Sequence, residues 1–273
     1  MQSQTIQVGA EKIAVYQSKG KGAAALLIHG NSCSSRAYQH QLDGALGDEF
    51  RIVAMDLPGH GQSANASDPQ VIYGMPGYAR VVAGVAEQLG LTQAVVVGWS
   101  LGGHIALEAT ALLPNAAGWM IFGTPPLAFP PAMADAFLPH PAMGASFKAD
   151  LSDDEITAYA AAMFKPGTAI PGFFRDDMRR TDGRARAELA GSIRPNGYTD
   201  EVEIAAKLSQ PLAILHGEHE QLVNLAYIQN LKMPTLWRSA VQIVADAGHA
   251  PFWEQPEKFN ALLKAFLVET AKK

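Results

Sequence analysis

The sequence has one cysteine, Cys33, so no intrachain disulfide can brace it. Charge is sparse: 17% of 273 residues, net −5, with acidic and basic residues interspersed. No long basic run appears, which argues against a nucleic-acid partner. No uninterrupted apolar run approaches the length that spans a bilayer, so no membrane partner is expected. The first residues, "MQSQTIQVGAEKIAVYQ", alternate polar and apolar side chains, which reads as strand and not as a signal peptide. A soluble, cytoplasmic protein is the expectation, with a monomer favoured. The glycine-rich stretches lack the lysine of a P-loop, and "GWSLGG" does not fit a dinucleotide fingerprint. "HGEH" (His216–His219) has no second cluster to complete a metal site. No cofactor and no metal are therefore expected.

What is present is a repeated alternation. Six apolar runs end in Gly, Ser, Glu or His: Ala24–Gly30, Arg51–Gly59, Ala94–Ser100, Ala117–Gly123, Pro211–Glu218 and Val241–His249. Runs of this kind suit strands buried on both faces. Helical patterns fall between many of them, at Arg36–Leu46, Gly77–Leu89, Leu101–Leu113 and Pro256–Ala271. Strand and helix in alternation predict an α/β fold with a mostly parallel sheet. Thr5–Val8 and Lys12–Tyr16 read as an antiparallel hairpin at its edge. The alternation stops between about Thr124 and Ala205, where "TPPLAFPPAMADAFLPHPAMG" is followed by helical stretches such as Ser152–Phe164. About eighty residues is too long for a simple crossover. The segment reads as a helical cap over the C-terminal edge of the sheet, where open α/β sheets bind ligands. The expected division is a core of residues 1–124 and 205–273 and a cap of residues 125–204.

Gly98-Trp99-Ser100-Leu101-Gly102 matches G-x-S-x-G at a strand-to-helix junction. In such an elbow a strained turn lifts the serine hydroxyl out of the sheet, and the absent Cβ atoms let strand and helix pack close behind it. The serine also lies at a helix N-terminus, which favours developing negative charge. A hydroxyl needs a base to take its proton. Of eight histidines, His249 in "DAGHAPFWEQP" follows the last strand and lies at the correct edge. A carboxylate should orient it, and "LHGEHEQLV" offers Glu218 and Glu220. Glu220 is favoured, since a loop acid nearer the strand end is often used by the turn. Oxyanion donors are expected at the N–H groups of Leu101 and Asn31. The Asn31 side chain is a further candidate substrate contact or an ordinary turn residue.

"LLIHGNS", "DLPGHGQS", "GWSLGGHIA", "LHGEHEQLV" and "AGHAPFWEQPEKF", in that order, resemble the α/β-hydrolase superfamily, in its capped esterase and lactonase branch. The resemblance covers nearly all of the chain outside the cap. It implies an eight-stranded, mostly parallel sheet with helices on both faces and an inserted helical cap. It also implies structural roles for Asp56 and for Glu254, the latter holding the histidine loop. Most members carry aspartate where this chain has Glu220; others use an acid after the sixth strand, where "FGTPP" has none. The glutamate, the "HGNS" loop, the length and the cap are similar to the metal-independent N-acyl-homoserine lactonases of this fold, the AidH-like enzymes. That similarity implies quorum quenching, and a substrate contact at Tyr159, which shares a helical face with Ile156, Ala160 and Met163; a packing role is the alternative. Gly30, Trp99, Phe129, Phe137 and Met163 complete the expected substrate contacts. The leading expectation is a serine hydrolase of a small ester or lactone. A general carboxylesterase, a hydrolase-like receptor, and a lyase or cofactor-free oxygenase are the alternatives.

Overall fold

The computed structural model describes residues 1–194 and 196–271. Eight strands form one sheet: β1 (Gln2–Val8), β2 (Glu11–Gln17), β3 (Ala24–Ile28), β4 (Arg51–Met55), β5 (Val95–Trp99), β6 (Gly118–Phe122), β7 (Leu212–Gly217) and β8 (Gln242–Val244). Their order is β1-β2-β4-β3-β5-β6-β7-β8. β1 and β2 form an antiparallel hairpin, β2 meets β4 antiparallel, and every other pairing is parallel. This is the α/β-hydrolase architecture expected from the alternation.

Packing follows composition. Every residue of β5, β6 and β7 is buried, as Val/Ile/Leu-rich strands covered on both faces must be. The edge strand β1 has no buried residue, and its sequence is correspondingly polar. The chain passes from β3 outward to β4 and then returns to lay β5 on the other side of β3. That reversal opens a crevice at the C-terminal ends of β3 and β5, the place where doubly wound sheets bind ligands.

Three expected elements differ. Arg36–Leu46 is not one helix but a 3-10 turn (Ser35–Tyr38), a single turn (Gln39–Leu42) and a second short helix (Ala45–Glu49). Gly44, at φ +89°, lets the chain break there. The helix after β5 is α-helical only over Leu101–Glu108 and ends in a 3-10 turn, Ala109–Ala111. β8 stops at Val244 because the chain turns at Asp246, φ +64°.

Between β6 and β7 lie the helices Asp153–Ala162, Gly172–Arg180, Gly183–Ser192 and Glu201–Lys207, with shorter turns before them. The first begins in a capping box: Ser152 and Glu155 each accept the other's backbone N–H. The segment is tied to the sheet's C-terminal loops by polar contacts. Ser34 donates to Asp177 at 2.6 Å, and Tyr73 donates to Asp182 at 2.8 Å. The buried Arg186 donates to Ser32 and to the carbonyls of Lys148, Ala149 and Met178. Among the described residues, no helix is long and apolar enough to cross a membrane.

Candidate active site

Ser100 leaves β5 at φ +54°, ψ −120°, a conformation that L-residues rarely adopt. The turn is over-determined. The Ser100 N–H donates to the Phe122 carbonyl at 2.9 Å, and its own carbonyl accepts from Gly103 N–H and the Thr124 hydroxyl, both at 2.8 Å. A Cβ on Gly98 would lie 2.2 Å from the Gly102 carbonyl oxygen, and one on Gly102 equally close to that of Ile28. Glycine at both positions is what lets the helix Leu101–Glu108 cross so near β3 and β5. Ser100 is left half-buried and accessible.

His249 and Glu220 meet after β8 and β7. Nδ1 of His249 hydrogen-bonds Oε2 of Glu220 at 2.8 Å, with both side chains almost wholly buried. The other carboxylate oxygen accepts Leu222 N–H at 2.8 Å. Burial pushes the Glu220 carboxyl up, but the His249 ring, the hydrogen bond to it and the Leu222 N–H outweigh burial and hold it below the usual range. With Nδ1 engaged, Nε2 is the nitrogen left for proton transfer. The His249 loop is fixed from two sides. Trp99 Nε1 donates to the His249 carbonyl at 2.8 Å, and Glu254 accepts from Gly248 N–H and Lys165 N–H, both at 2.7 Å. Glu218 is half exposed and accepts Asp246 N–H at 2.9 Å, so it serves the turn and does not reach His249.

A narrow cavity of about 80 Å³ opens above Ser100. Asn31, Ser100 and Leu101 line its floor, while Phe137, Met143, Ser146, Phe147, Tyr159, Leu189 and Ile193 line the walls from the segment between β6 and β7. Leu101 is the first residue of its helix, so its N–H has no acceptor a turn earlier. Asn31 is pinned: its Nδ2 donates to the Ser146 carbonyl at 2.8 Å, and its Oδ1 accepts from Ser32 at 3.0 Å. Ser146 Oγ in turn donates to the Tyr159 hydroxyl at 2.9 Å. Burial pushes the Tyr159 phenol well above its ordinary value, so it stays protonated at neutral pH.

Four expected substrate contacts lie elsewhere. Phe129 is 39% exposed, outside the cavity; its N–H is held by Asp200 and its ring packs on Tyr198. Met163 is buried against Cys33, away from the cavity wall. Trp99 is fully buried under His249 and Phe252, supporting the loop from behind. Gly30 does not line the cavity; a Cβ there would come within 3.2 Å of Ser100 Cβ, so it makes room for the serine. Conversely, Met75, His104 and Leu127 line the cavity, and nothing in the sequence marks Met75 or Leu127 for it. For His104 a signal is available in the sequence, since it follows Ser100 by four residues in the helix that the elbow starts. A larger, open groove of about 770 Å³ between Gln39–Glu49 and Pro256–Lys264 includes none of Ser100, Glu220 and His249.

His216, at the end of β7, is buried near Glu220 and His249 with its Nδ1 unpaired among the described residues, and burial pushes its pKa down. His29 accepts Leu57 N–H and bonds the Gly30 carbonyl, and burial pushes its pKa down to about 4. Burial likewise pushes His60 down to about 3. His40 stacks on Trp253, and His140 caps a 3-10 turn. Among the described residues, no group of three or more His, Cys, Asp or Glu side chains is placed to hold a metal ion.

An elbow serine, a buried His–Glu pair and an apolar chamber at the switch point of a parallel sheet define a hydrolase site. The profile of the alpha/beta hydrolase family matches residues 25–262, and the chain belongs to that family. Its fold superposes on a serine-to-glycine variant of N-acyl homoserine lactonase AidH complexed with N-hexanoyl homoserine lactone. The TM-score is 0.96 and the identity 36%, over 100% of this chain and 99% of that one. The pimeloyl-[acyl-carrier protein] methyl ester esterase of Stenotrophomonas maltophilia is 29% identical over 91% of this chain and 94% of its own. The dihydrolipoyllysine-residue acetyltransferase component of an acetoin cleaving system from Cupriavidus necator is 27% identical over 92% of this chain. This chain spans 66% of that relative's length. The protein is thus a hydrolase of the esterase and lactonase type.

Proposed function

We propose that the protein is a serine hydrolase that opens the ring of N-acyl-homoserine lactones, an activity that quenches quorum signals. The observation that carries this reading is the buried Glu220–His249 pair at the ends of β7 and β8, together with the apolar cavity that opens over the elbow serine Ser100. The similarity to the AidH lactonase over the whole chain supports the lactone. Ser100 Oγ attacks the lactone carbonyl as His249 Nε2 takes its proton, and Glu220 stabilises the imidazolium. Negative charge on the carbonyl oxygen is met by the N–H groups of Leu101 and Asn31. His249 returns the proton to the departing ring oxygen, which stays tethered to the acyl group. Water activated by His249 then cleaves the acyl-enzyme. Residues 125–204 act as the cap, with Phe137 and Phe147 against the acyl chain and Tyr159 on a polar group of the substrate.

The test is titration of acid released from lactones of graded acyl length, with and without EDTA, for wild type and Ser100→Ala. Each buried methylene should add about 0.8 kcal/mol of binding until the chamber is full. Activity should therefore rise with chain length and then flatten or fall, be indifferent to EDTA, and vanish in Ser100→Ala. Loss of activity in EDTA overturns the serine mechanism. Brisk cleavage of simple esters without ring opening makes the protein a general carboxylesterase.

A further inference from the structure

The cavity contains a second His–carboxylate pair that the mechanism does not use. His104 lies one helical turn beyond Ser100, and its N–H reaches the Ser100 carbonyl at 3.4 Å. Its ring lines the same cavity as Ser100. Nδ1 hydrogen-bonds both carboxylate oxygens of Glu201, at 2.8 and 3.0 Å. Glu201 is completely buried and also accepts Leu127 N–H at 2.8 Å.

Such a pair is costly without a purpose. Burial pushes the Glu201 carboxyl up, the His104 ring, its hydrogen bond and the Leu127 N–H oppose this, and the Glu108 carboxylate adds to it. A carboxylate so far from water keeps either a counter-charge or a proton. Glu220 is held ionised and takes the Nδ1 hydrogen of His249; burial instead favours a protonated Glu201, which donates to Nδ1 of His104 and leaves the ring hydrogen on Nε2. With Nδ1 engaged on Glu201, Nε2 is the nitrogen left for the cavity. The surrounding wall is apolar: Leu127, Met133 and Phe137 line it too, with the Phe137 ring 6.5 Å from that of His104.

We propose that His104, held by Glu201, donates a hydrogen bond to an oxygen on the acyl arm of the substrate and makes the enzyme prefer β-keto acyl groups over plain alkyl groups of equal length. This rests on the lactone reading above. Ser100 and His104 line the same cavity one helical turn apart, about 5.4 Å along the axis. The group at His104 is therefore several bonds from the carbonyl at Ser100. In an acyl-homoserine lactone that distance passes the amide and reaches the β carbon. A plain methylene there leaves the donor unpaired in an apolar wall; a keto oxygen satisfies it.

The experiment compares N-(3-oxohexanoyl) and N-hexanoyl homoserine lactone by kcat/KM in wild type, His104→Gln and the double variant His104→Leu/Glu201→Gln. The double variant avoids stranding an unpaired buried carboxylate, and thermal melts check that each variant folds. The expected keto preference is about tenfold in wild type, as for one buried hydrogen bond, partly kept by the amide N–H of His104→Gln and near unity in the double variant. The same two ligands are titrated calorimetrically into Ser100→Ala, where neither is consumed. Equal affinity there, or a keto preference that survives in the double variant, overturns the proposal. Ring opening absent in wild type, with the keto ligand bound more tightly than the plain one in Ser100→Ala, overturns the lactonase reading and keeps only the binding preference at His104.

Discussion

Ser100, Glu220 and His249 come from the ends of β5, β7 and β8, while Phe137, Tyr159 and Leu189 come from the segment between β6 and β7. The first group is held by backbone geometry. A serine at positive φ, two glycines at a helix crossing and a carboxylate capped by a backbone N–H leave little freedom. The second group is held by side chains reaching across: Arg186 to Ser32, Asp177 to Ser34, Asn31 to Ser146. A strand end fixes one atom to within a bond length because its neighbours in the sheet are fixed. The inserted segment shapes a volume, and a change in one contact alters which substrate fits rather than whether chemistry occurs.

The contrast yields a ranked set of expectations. At the strand ends, Glu220→Gln should lower kcat by about 10³- to 10⁴-fold, as loss of an orienting carboxylate does in a serine triad. Glu218→Gln should cost less than about tenfold, because that half-exposed carboxylate accepts from Asp246 N–H and faces His219, not His249. Steady-state kinetics on one substrate decides it; the reverse order would move the acid two residues back.

Asp177, in the tie between the inserted segment and the loop after β3, should govern stability and not rate. Burial pushes its carboxyl up to about 6, against the Ser34 hydroxyl and the Arg36 guanidinium. Its folded value lies above its unfolded one, so the folded state binds the proton more tightly. Stability from this group is present below the ordinary aspartate value and is lost as pH rises to about 6, by at most about 3 kcal/mol. Melting curves across that window should show the trend in wild type and a flatter profile in Asp177→Asn. An unchanged slope in Asp177→Asn would break the assignment.

The smallest effects test the cavity wall. Phe137→Ala should lower kcat/KM for a hexanoyl lactone by about tenfold through lost apolar contact. Phe129→Ala should leave it within about twofold, since that ring sits on Tyr198 outside the cavity. Equal losses would mean that the inserted segment closes differently over substrate.

This difference between regions also separates what could be read in the sequence from what could not. The sheet was legible because apolar runs ending in glycine or serine report burial on both faces; the run Val241–His249 departs from this, since Ile243 of the edge strand β8 is exposed. The elbow was legible because close approach at Gly98 and Gly102 admits no other residue. The inserted segment was legible only as helical and apolar. Phe129 and Phe137 look alike in "LAFPPAMADAF", yet one is turned outward by Asp200 and Tyr198, seventy residues away in the chain. Trp99 adjoins Ser100 in sequence, but adjacency along a strand places alternate side chains on opposite faces, and Met163, on one helical face with Tyr159, turns to Cys33 instead. The sequence shows where His104 lies relative to Ser100 but gives no sign of a partner as distant as Glu201.

The central claim is that the His249–Glu220 pair activates Ser100 among all the serines. An aryl dialkyl phosphate transfers its phosphoryl group to an activated serine, and the product is stable enough for peptide mapping by mass spectrometry. The account predicts one adduct per chain, on the peptide carrying Ser100, formed in step with loss of activity and absent in Ser100→Ala. It also predicts that labelling in Glu220→Gln slows in proportion to kcat. An adduct on another residue, or full inactivation with Ser100 unmodified, would contradict it.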